Sequence, residues 1–340
     1  MAYNTGHELL KIIPPELAHS IAKKAMKRGL SAPGPCIPGD FALAEATELF
    51  GFVLDNPLGI AAGFDKHGEL ADNAREYGFG WIEEGSITYH GGPGNKGRRL
   101  ARVKHESGEF GLWNRMGLNG DRAEVVVGRL KNAQNPYAVN IAKTHNKNIM
   151  GDKAIEDMVG TYELVEGALS PTGNLIYVAW NVSCPNTAEG KTFEDPTVLN
   201  ELLSAAKEKG KTRPWVIKWS PNLGKNRLER LMEVSEQYCD GYIGANTLPG
   251  EYKGNKGGYS GPFVRDNMLE TVRNLRSLTN KPIIACGGIS RGGHMFEAKK
   301  AGANYFQVFN GFTVGSKSGP KFAHDVLNAY YAQLIISRNN

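Results

Sequence analysis

Short apolar runs alternate with amphipathic stretches along most of the chain, and this alternation predicts strands separated by helices. The runs rich in β-branched and aromatic residues lie at 58–63, 81–88, 137–143, 176–183, 215–220, 241–247, 283–288 and 305–311. Eight strands with intervening helices are typical of a (β/α)8 barrel, whereas a doubly wound α/β sheet usually has fewer strands. Residues 91–113 contain several glycines and an alternating pattern, which predicts a small hairpin inserted after the second strand.

The first 30 residues have a different character from the rest of the chain. Residues 6–30 predict two helices that are interrupted at Pro14 and Pro15, and Gly29 is a candidate for the end of the second helix. Residues 31–40 are rich in proline and glycine, so we expect a connector there and a barrel over 41–340. The second helix is amphipathic and basic. It either packs on its own domain or touches an anionic membrane surface, and the sequence leaves both interpretations open.

Polar residues or glycine stand at the ends of nearly all the apolar runs. They are Lys66, Ser86, Asn140, Lys143, Asn181, Lys218, Asn246, Gly287 and Asn310. In a barrel the carboxyl ends of the strands converge on one face, where barrel enzymes bind their ligands. The sequence therefore predicts one shared site at that end.

Composition and charge exclude several classes of protein. The chain has 340 residues with 41% hydrophobic residues, 22% charged residues and a net charge of +5, which is typical of a globular protein without nucleic acid as its main partner. Its apolar runs are far shorter than the ~20 residues of a membrane span, and the start lacks a signal-peptide pattern. The cysteines are scattered, and the eight histidines show no metal-ligand spacing. We expect a cytoplasmic protein without a metal.

The predicted site offers amides, lysines and glycine backbone, which suit a planar heteroaromatic ligand with carbonyl groups and ring nitrogens. Gly287 and Gly288 follow the seventh strand, and Asn310 and Gly311 follow the eighth, where barrels commonly bind phosphate. Flavin mononucleotide (FMN) meets both requirements. A lysine such as Lys218 is then placed to stabilise negative charge on the flavin.

Ten motifs along the chain occur in the order found in one known enzyme family. They are N-P-L-G-I-A-A-G-F-D-K (56–66), G-F-G-W-I-E-E-G-S-I-T (78–88), N-R-M-G-L-N (114–119), V-N-I-A-K (139–143), N-V-S-C-P-N-T (181–187), K-W-S-P (218–221), A-N-T (245–247), G-G-Y-S-G-P (257–262), A-C-G-G-I (285–289) and Q-V-F-N-G-F (307–312). The chain resembles the dihydroorotate dehydrogenases from its N-terminal helices to beyond Phe312. This resemblance implies FMN-dependent oxidation of (S)-dihydroorotate to orotate, the redox step of pyrimidine biosynthesis.

The resemblance also implies which residues bind the ligands. The flavin residues are Ala62, Gly63, Lys66, Ser86, Asn140, Asn181, Lys218, Ala245, Ser260, Gly261, Gly287, Gly288, Phe309 and Asn310. The substrate residues are Lys66, Asn114, Arg115, Met116, Gly117, Leu118, Asn181, Asn186, Asn246 and Thr247.

Cys184 matches the position of the family's catalytic base, which takes a proton from one ring carbon while the neighbouring carbon gives hydride to the flavin. The amides of Asn181 and Asn186 bracket it and can bind the pyrimidine without competing acid–base chemistry. A free thiol is only slightly ionised at neutral pH, so the role implies a local influence on its pKa. The polar segment 188–196 that follows is predicted to cover the bound substrate as a mobile loop.

The sequence features that indicate the electron acceptor conflict with one another. A cysteine base resembles the soluble members of the family, which use fumarate or NAD. The N-terminal helical pair resembles the membrane-associated members, which use quinone, and His19 and Arg102 match positions of their quinone tunnel. Phe309 stands where the membrane-associated members usually have tyrosine, and Ala245 replaces a usual threonine beside the flavin. We favour quinone, with the chain peripheral on the inner face of the cell membrane, and keep a soluble acceptor such as fumarate as the alternative.

Two further interpretations remain open from the sequence alone. One is a flavin barrel that oxidises another dihydropyrimidine. The other is a membrane-surface binding module that keeps flavin only as a structural ligand, although such a module needs no base between two amides.

Overall fold

The computed structural model of the chain describes residues 10, 12–37, 47–183, 192–314 and 319–339. The strands in chain order are β1 Thr47–Leu49, β2 Phe52–Leu54, β3 Leu58–Ile60, β4 Trp81–Ile87, β5 Leu100–Lys104, β6 Phe110–Asn114, β7 Tyr137–Ile141, β8 Leu175–Asn181, β9 Trp215–Trp219, β10 Gly241–Gly244, β11 Leu248–Tyr252, β12 Asn255–Ser260, β13 Ile283–Cys286 and β14 Tyr305–Val308. The α-helices are α1 Pro15–Lys27, α2 Ala123–Leu130, α3 Asp152–Leu169, α4 Pro196–Glu208, α5 Lys225–Ser235, α6 Arg265–Leu278, α7 Gly292–Ala301, α8 Asn310–Val314 and α9 Phe322–Arg338.

Eight parallel strands close into a barrel in the order β3, β4, β7, β8, β9, β10, β13 and β14, and β14 pairs back onto β3. These strands fall within the eight apolar runs of the sequence, so the predicted (β/α)8 fold is confirmed. Both faces of each barrel strand are covered, by the helices outside and by the other strands inside. That double burial explains why the strands are continuous apolar runs rather than alternating ones.

Side chains along each barrel strand alternate between two apolar cores. On β4, Trp81 lies in the core inside the barrel and Ile82 lies in the core between the barrel and its helices. Trp81 lies against Gly59 so closely that a Cβ atom on that glycine would be 2.5 Å from the indole ring. Because the indole takes that space, the interior of the barrel is a packed core at this level.

The amino-terminal end of the barrel is closed by the antiparallel hairpin of β1 and β2, which the sequence analysis did not predict. Leu49 and Leu54 of this hairpin belong to the inner core, and the ring of Phe50 lies beside Gly241 at the start of β10. With one end closed, a ligand enters from the other end.

A second, four-stranded antiparallel sheet lies at the carboxyl end of the barrel in the order β11-β12-β6-β5. The hairpin of β5 and β6 is the insertion predicted within 91–113, and its strands span 100–104 and 110–114. The hairpin of β11 and β12 was not predicted. It pairs with β6 through Gly258 opposite Asn114, so residues far apart in sequence form one wall above the barrel.

Helix α1 is the second of the two predicted N-terminal helices. Proline 15 occupies its first turn, and Gly29, with φ of +64°, follows its end as predicted. The helix buries Ala18 and Met26 and packs against the insertion sheet at β5. None of the described helices combines the length and apolar character that crossing a bilayer requires. The division into a helical element, a connector and a barrel stays a prediction.

Candidate active site

A cavity of about 610 Å³ opens at the carboxyl ends of the barrel strands, and we refer to it as the mouth cavity. Its volume is in the range of small-molecule sites. Most of the residues predicted to hold flavin line it: Ala62, Gly63, Lys66, Ser86, Asn181, Lys218, Ala245, Ser260, Gly261, Gly287, Gly288, Phe309 and Asn310. Of the predicted substrate residues, Lys66, Asn114, Met116, Leu118, Asn181, Asn246 and Thr247 line it as well.

The floor of the mouth cavity carries a buried positive charge. The side chain of Lys218 is only 6% exposed, and its ammonium lies 3.7 Å from the carboxylate of Glu83, which is fully buried. Burial by itself lowers the pKa of Lys218, but the neighbouring Cys286 thiol and the Glu83 carboxylate raise it, and the net shift is upward. Lys218 is therefore a fixed cation at neutral pH, directly below any ligand that enters the cavity.

One side of the cavity is a chain of hydrogen-bonded polar side chains. The Nδ2 atom of Asn246 donates to Oδ1 of Asn181 over 3.1 Å, and Nδ2 of Asn181 donates to the hydroxyl of Ser86 over 3.0 Å. The Ser86 hydroxyl in turn donates to Oδ1 of Asn140. Asn140 is fully buried one layer below the cavity and does not line it. Each amide is thereby held in one orientation.

The opposite side of the cavity is formed by backbone after β13 and β14. Gly287 and Gly288 have φ values of +132° and +72°, a conformation that favours glycine, and Gly288 lies directly against the Arg265 side chain. Their backbone can approach a ligand closely because neither residue has a side chain. Nearby, Nδ2 of Asn310 is buried and has no hydrogen-bond partner among the described residues. This set fits a ligand that carries oxygen acceptors, such as a phosphate.

Lys66 lies at the rim of the cavity, and its surroundings weaken its positive charge. Burial, together with the charges of Lys23 and Arg99, lowers the pKa of Lys66 to about 8. At neutral pH the side chain is still largely protonated, so it can pair with an anionic ligand. Since burial without a counter-ion is costly, an anion that pairs with Lys66 relieves that cost.

A buried ion pair connects helix α1 to the same rim. The ammonium of Lys23 donates to Oδ1 of Asp65 over 2.6 Å, and the Asp65 carboxylate is fully buried. Backbone N–H groups of His67, Glu69 and Leu70 donate to the same carboxylate. The segment that carries Lys66 is thus fixed to the N-terminal helix.

A second cavity, of about 380 Å³, lies between α1 and the barrel, and we refer to it as the helix cavity. His19 and Phe309 line both cavities, and their rings are stacked 6.1 Å apart. Burial lowers the pKa of His19 to about 3, so its ring is neutral, and Nε2 lies 2.7 Å from the Phe64 carbonyl oxygen. Arg102 also lines this cavity and donates to the carbonyls of Leu10 and Ile13.

Comparisons with known proteins agree with this arrangement. The family model of dihydroorotate dehydrogenase matches residues 44–333 of the chain. This chain belongs to the dihydroorotate dehydrogenase family.

Individual relatives support the same family membership. A dihydroorotate dehydrogenase (quinone) from Christiangramia forsetii is 32% identical over 331 residues, covering 92% of this chain and 93% of the relative. One from Haloarcula marismortui is 33% identical over 292 residues, covering 83% and 79%. The crystal structure of DHODH from Eimeria tenella in complex with ferulenol superimposes with a TM-score of 0.81 at 25% identity, covering 95% of this chain and 92% of that chain. The prediction that this chain resembles the quinone-dependent members of the family is confirmed.

Some residues predicted for this family site lie elsewhere or outside the described residues. Arg115 donates to the Lys96 carbonyl and Gly117 packs against Asn95, and neither lines the mouth cavity. Cys184 and Asn186 lie outside the described residues, as does the first part of the predicted covering loop, residues 188–191. The roles of Arg115, Gly117 and Asn186 as substrate contacts, of Cys184 as the base and of residues 188–196 as a covering loop stay predictions.

Several buried polar residues at the site were missed from the sequence. Glu83, Tyr177 and Gln307 form a hydrogen-bonded group inside the barrel, and Cys286 lines the mouth cavity beside Lys218. A signal for Glu83 was present, because two consecutive glutamates in the apolar run 81–88 place one carboxyl on each face of a buried strand. Among the described residues, no group of three or more His, Cys, Asp or Glu could hold a metal ion.

The Lys23–Asp65 ion pair gives a stability prediction. Lys23→Met leaves the carboxylate of Asp65 buried without its counter-ion, so we expect the free energy of unfolding to fall by about 3 kcal/mol in urea titrations. Lys24→Met is the matched control, because Lys24 is exposed on the same helix, and should change it by less than about 0.5 kcal/mol. Equal losses in the two variants would contradict a specific role for the pair.

Proposed function

We propose that this chain oxidises dihydroorotate to orotate, with FMN bound in the mouth cavity and a quinone as the final electron acceptor. One observation carries the proposal. Lys66 at the rim, the buried Lys218 at the floor and a row of oriented amides all line the same cavity. The family membership and the relatives named dihydroorotate dehydrogenase (quinone) support the same reaction.

The residues present fit FMN. The glycine backbone at Gly287 and Gly288 and the unpartnered amide of Asn310 would hold its phosphate, and Lys218 would lie against the polar edge of its ring system. When bound, FMN supplies a two-electron acceptor for the hydride of the substrate. Lys218 holds a positive charge at the floor of the cavity, where it favours the gain of negative charge by whatever lies above it.

The residues above this floor suit a cyclic imide that bears a carboxylate. Lys66 provides a cation for the carboxylate of dihydroorotate, and the amides of Asn114, Asn181 and Asn246 provide donors and acceptors for the ring carbonyl and N–H groups. Because the Asn246–Asn181–Ser86 chain fixes the amides, the ring is bound in one orientation. The reaction requires a fixed orientation, because one ring carbon loses a hydride while the neighbouring carbon loses a proton.

We propose Cys184 as the base that takes the proton from the ring carbon next to the one that loses hydride. The assignment rests on the resemblance, because Cys184 matches the position of the family's catalytic base, and Cys184 directly follows Ser183. Ser183 is buried, and its hydroxyl donates to the backbone carbonyl of Lys218 over 2.9 Å, while Asn246 donates to that hydroxyl over 3.2 Å. The residue before the proposed base is thus tied both to the floor lysine and to a proposed substrate residue.

The helix cavity supports quinone as the acceptor. It is mainly apolar, it adjoins the mouth cavity at His19 and Phe309, and it lies under the basic amphipathic helix α1. Because His19 is neutral, the contact between the two cavities at His19 and Phe309 is formed by two uncharged rings. We propose that residues 1–30 form the element through which quinone enters, and that the element lies on a membrane surface. The alternative is a soluble acceptor such as fumarate.

Anaerobic mixing with dihydroorotate tests the proposed reaction. We expect the yellow colour of the purified protein to bleach, and a ubiquinone analogue to restore it much faster than fumarate does. Absorbance near the flavin maximum in a stopped-flow instrument measures both steps. Failure to bleach would contradict the reaction, and fast turnover with fumarate but none with quinone would contradict the acceptor.

Replacement of the proposed base separates flavin binding from chemistry. Cys184→Ala should retain bound flavin but lose reduction by dihydroorotate, by about 100-fold or more, because general-base catalysis contributes on that order. Cys184→Ser should keep more activity than Cys184→Ala, since a hydroxyl can also accept the proton when it is aligned and desolvated. Normal reduction of the alanine variant would exclude Cys184 as the base.

A further inference from the structure

One buried carboxylate near the site, that of Glu83, has no role in the proposed function. Glu83 is fully buried inside the barrel. Its carboxylate accepts hydrogen bonds from Nδ2 of Asn140 over 2.9 Å, from the hydroxyl of Tyr177 over 2.8 Å and from Nε2 of Gln307 over 2.7 Å. Lys218 Nζ lies 3.7 Å away. Three donors and one cation therefore surround this carboxylate.

Because all three of these side chains donate to Glu83, its carboxylate acts only as an acceptor and fixes the direction of the polar chain above it. Asn140 must present its NH2 group to Glu83, which turns its oxygen to Ser86. Ser86 must then donate to Asn140 and accept from Asn181, and the oxygen of Asn181 accepts from Asn246. The donor or acceptor character of every amide in the chain therefore follows from one buried charge.

The same carboxylate balances the charge of Lys218. Lys218 is 5% exposed and lines the floor of the mouth cavity, and Glu83 is its anionic neighbour there. Without this anion, the ammonium of Lys218 would be buried with an unbalanced positive charge, which is costly. With it, the cation is held at a fixed place and the net charge of the pair is zero.

We propose that Glu83 is a positioning residue that fixes the charge of Lys218 and the hydrogen-bond direction of the Asn140–Ser86–Asn181–Asn246 chain. It acts from below the cavity, through the residues that touch flavin and pyrimidine. The inference rests on the proposed function, since it assigns those ligands to the mouth cavity.

The test compares Glu83→Gln with Tyr177→Phe. Glu83→Gln removes the charge and adds a donor, so Asn140 can adopt either amide orientation. Tyr177→Phe removes one donor to Glu83 at the same depth, but keeps the charge, the Asn140 contact and the Lys218 contact. Two quantities are measured: the midpoint potential of bound FMN, by reduction with xanthine and xanthine oxidase against indicator dyes, and the Kd of orotate, by its perturbation of the flavin spectrum.

We expect Glu83→Gln to make the midpoint potential more positive by at least about 30 mV, a tenfold change in the relative affinity for the two oxidation states of a two-electron couple. The reason is that the positive charge of Lys218 is no longer balanced. We expect the Kd of orotate to rise about tenfold, because the amides no longer have one orientation. Tyr177→Phe should keep the wild-type potential and an orotate Kd within about twofold. Wild-type values of either quantity in Glu83→Gln, or equal changes in both variants, would overturn the proposal.

Reduction by the xanthine oxidase system keeps this test separate from the proposed function. A wild-type protein that binds FMN but is not reduced by dihydroorotate contradicts the proposed reaction alone, and the comparison of potentials still decides the role of Glu83. A wild-type protein that does not bind FMN overturns both.

A second variant covers the case in which Glu83→Gln is insoluble. Glu83→Gln combined with Lys218→Met leaves neither charge unpaired, so we expect the double variant to recover soluble protein, with a Tm of the FMN-free form above that of Lys218→Met alone. Failure to recover soluble protein would overturn the coupling between the two residues.

Discussion

The closure of eight parallel strands into one barrel is the constraint on which the site depends. Closure brings every carboxyl strand end to the same rim, and the alternation of side chains sends only every second residue inside. Near the amino-terminal end these inner positions are filled by apolar side chains such as Trp81 and by the β1–β2 hairpin. Towards the other end they become polar, at Glu83, Asn140 and Lys218. The change from an apolar to a polar interior creates a cavity whose floor is charged and whose walls are amides.

Two buried ion pairs connect different parts of the fold. Glu83 and Lys218 join two barrel strands below the cavity, while Lys23 and Asp65 join the N-terminal helix to its rim. Glu84 is the contrast. Its carboxyl is fully buried, and burial together with the charge of the nearby Asp65 raises its pKa well above the usual value. Glu84 is therefore neutral, although it directly follows Glu83 in the sequence.

The sequence predicted the barrel well because strands buried on both faces are continuous apolar runs. It missed the β11–β12 hairpin, whose residues 248–260 are polar and rich in glycine and whose pairing with β6 bridges more than a hundred residues. Site residues at strand ends were predicted by position and resemblance, and most of those described line one cavity. Glu83 was not, because the two consecutive glutamates indicate only that one carboxyl faces the barrel interior, while the donors that bind Glu83 come from three other strands.

The most direct measurement of the central claim is a crystal structure of the protein with FMN and orotate. The account predicts the flavin ring over Lys218, its phosphate at Gly287 and Gly288, and the orotate ring between the flavin and the sulfur of Cys184. A flavin bound elsewhere, or a Cys184 sulfur far from the orotate ring, would contradict it.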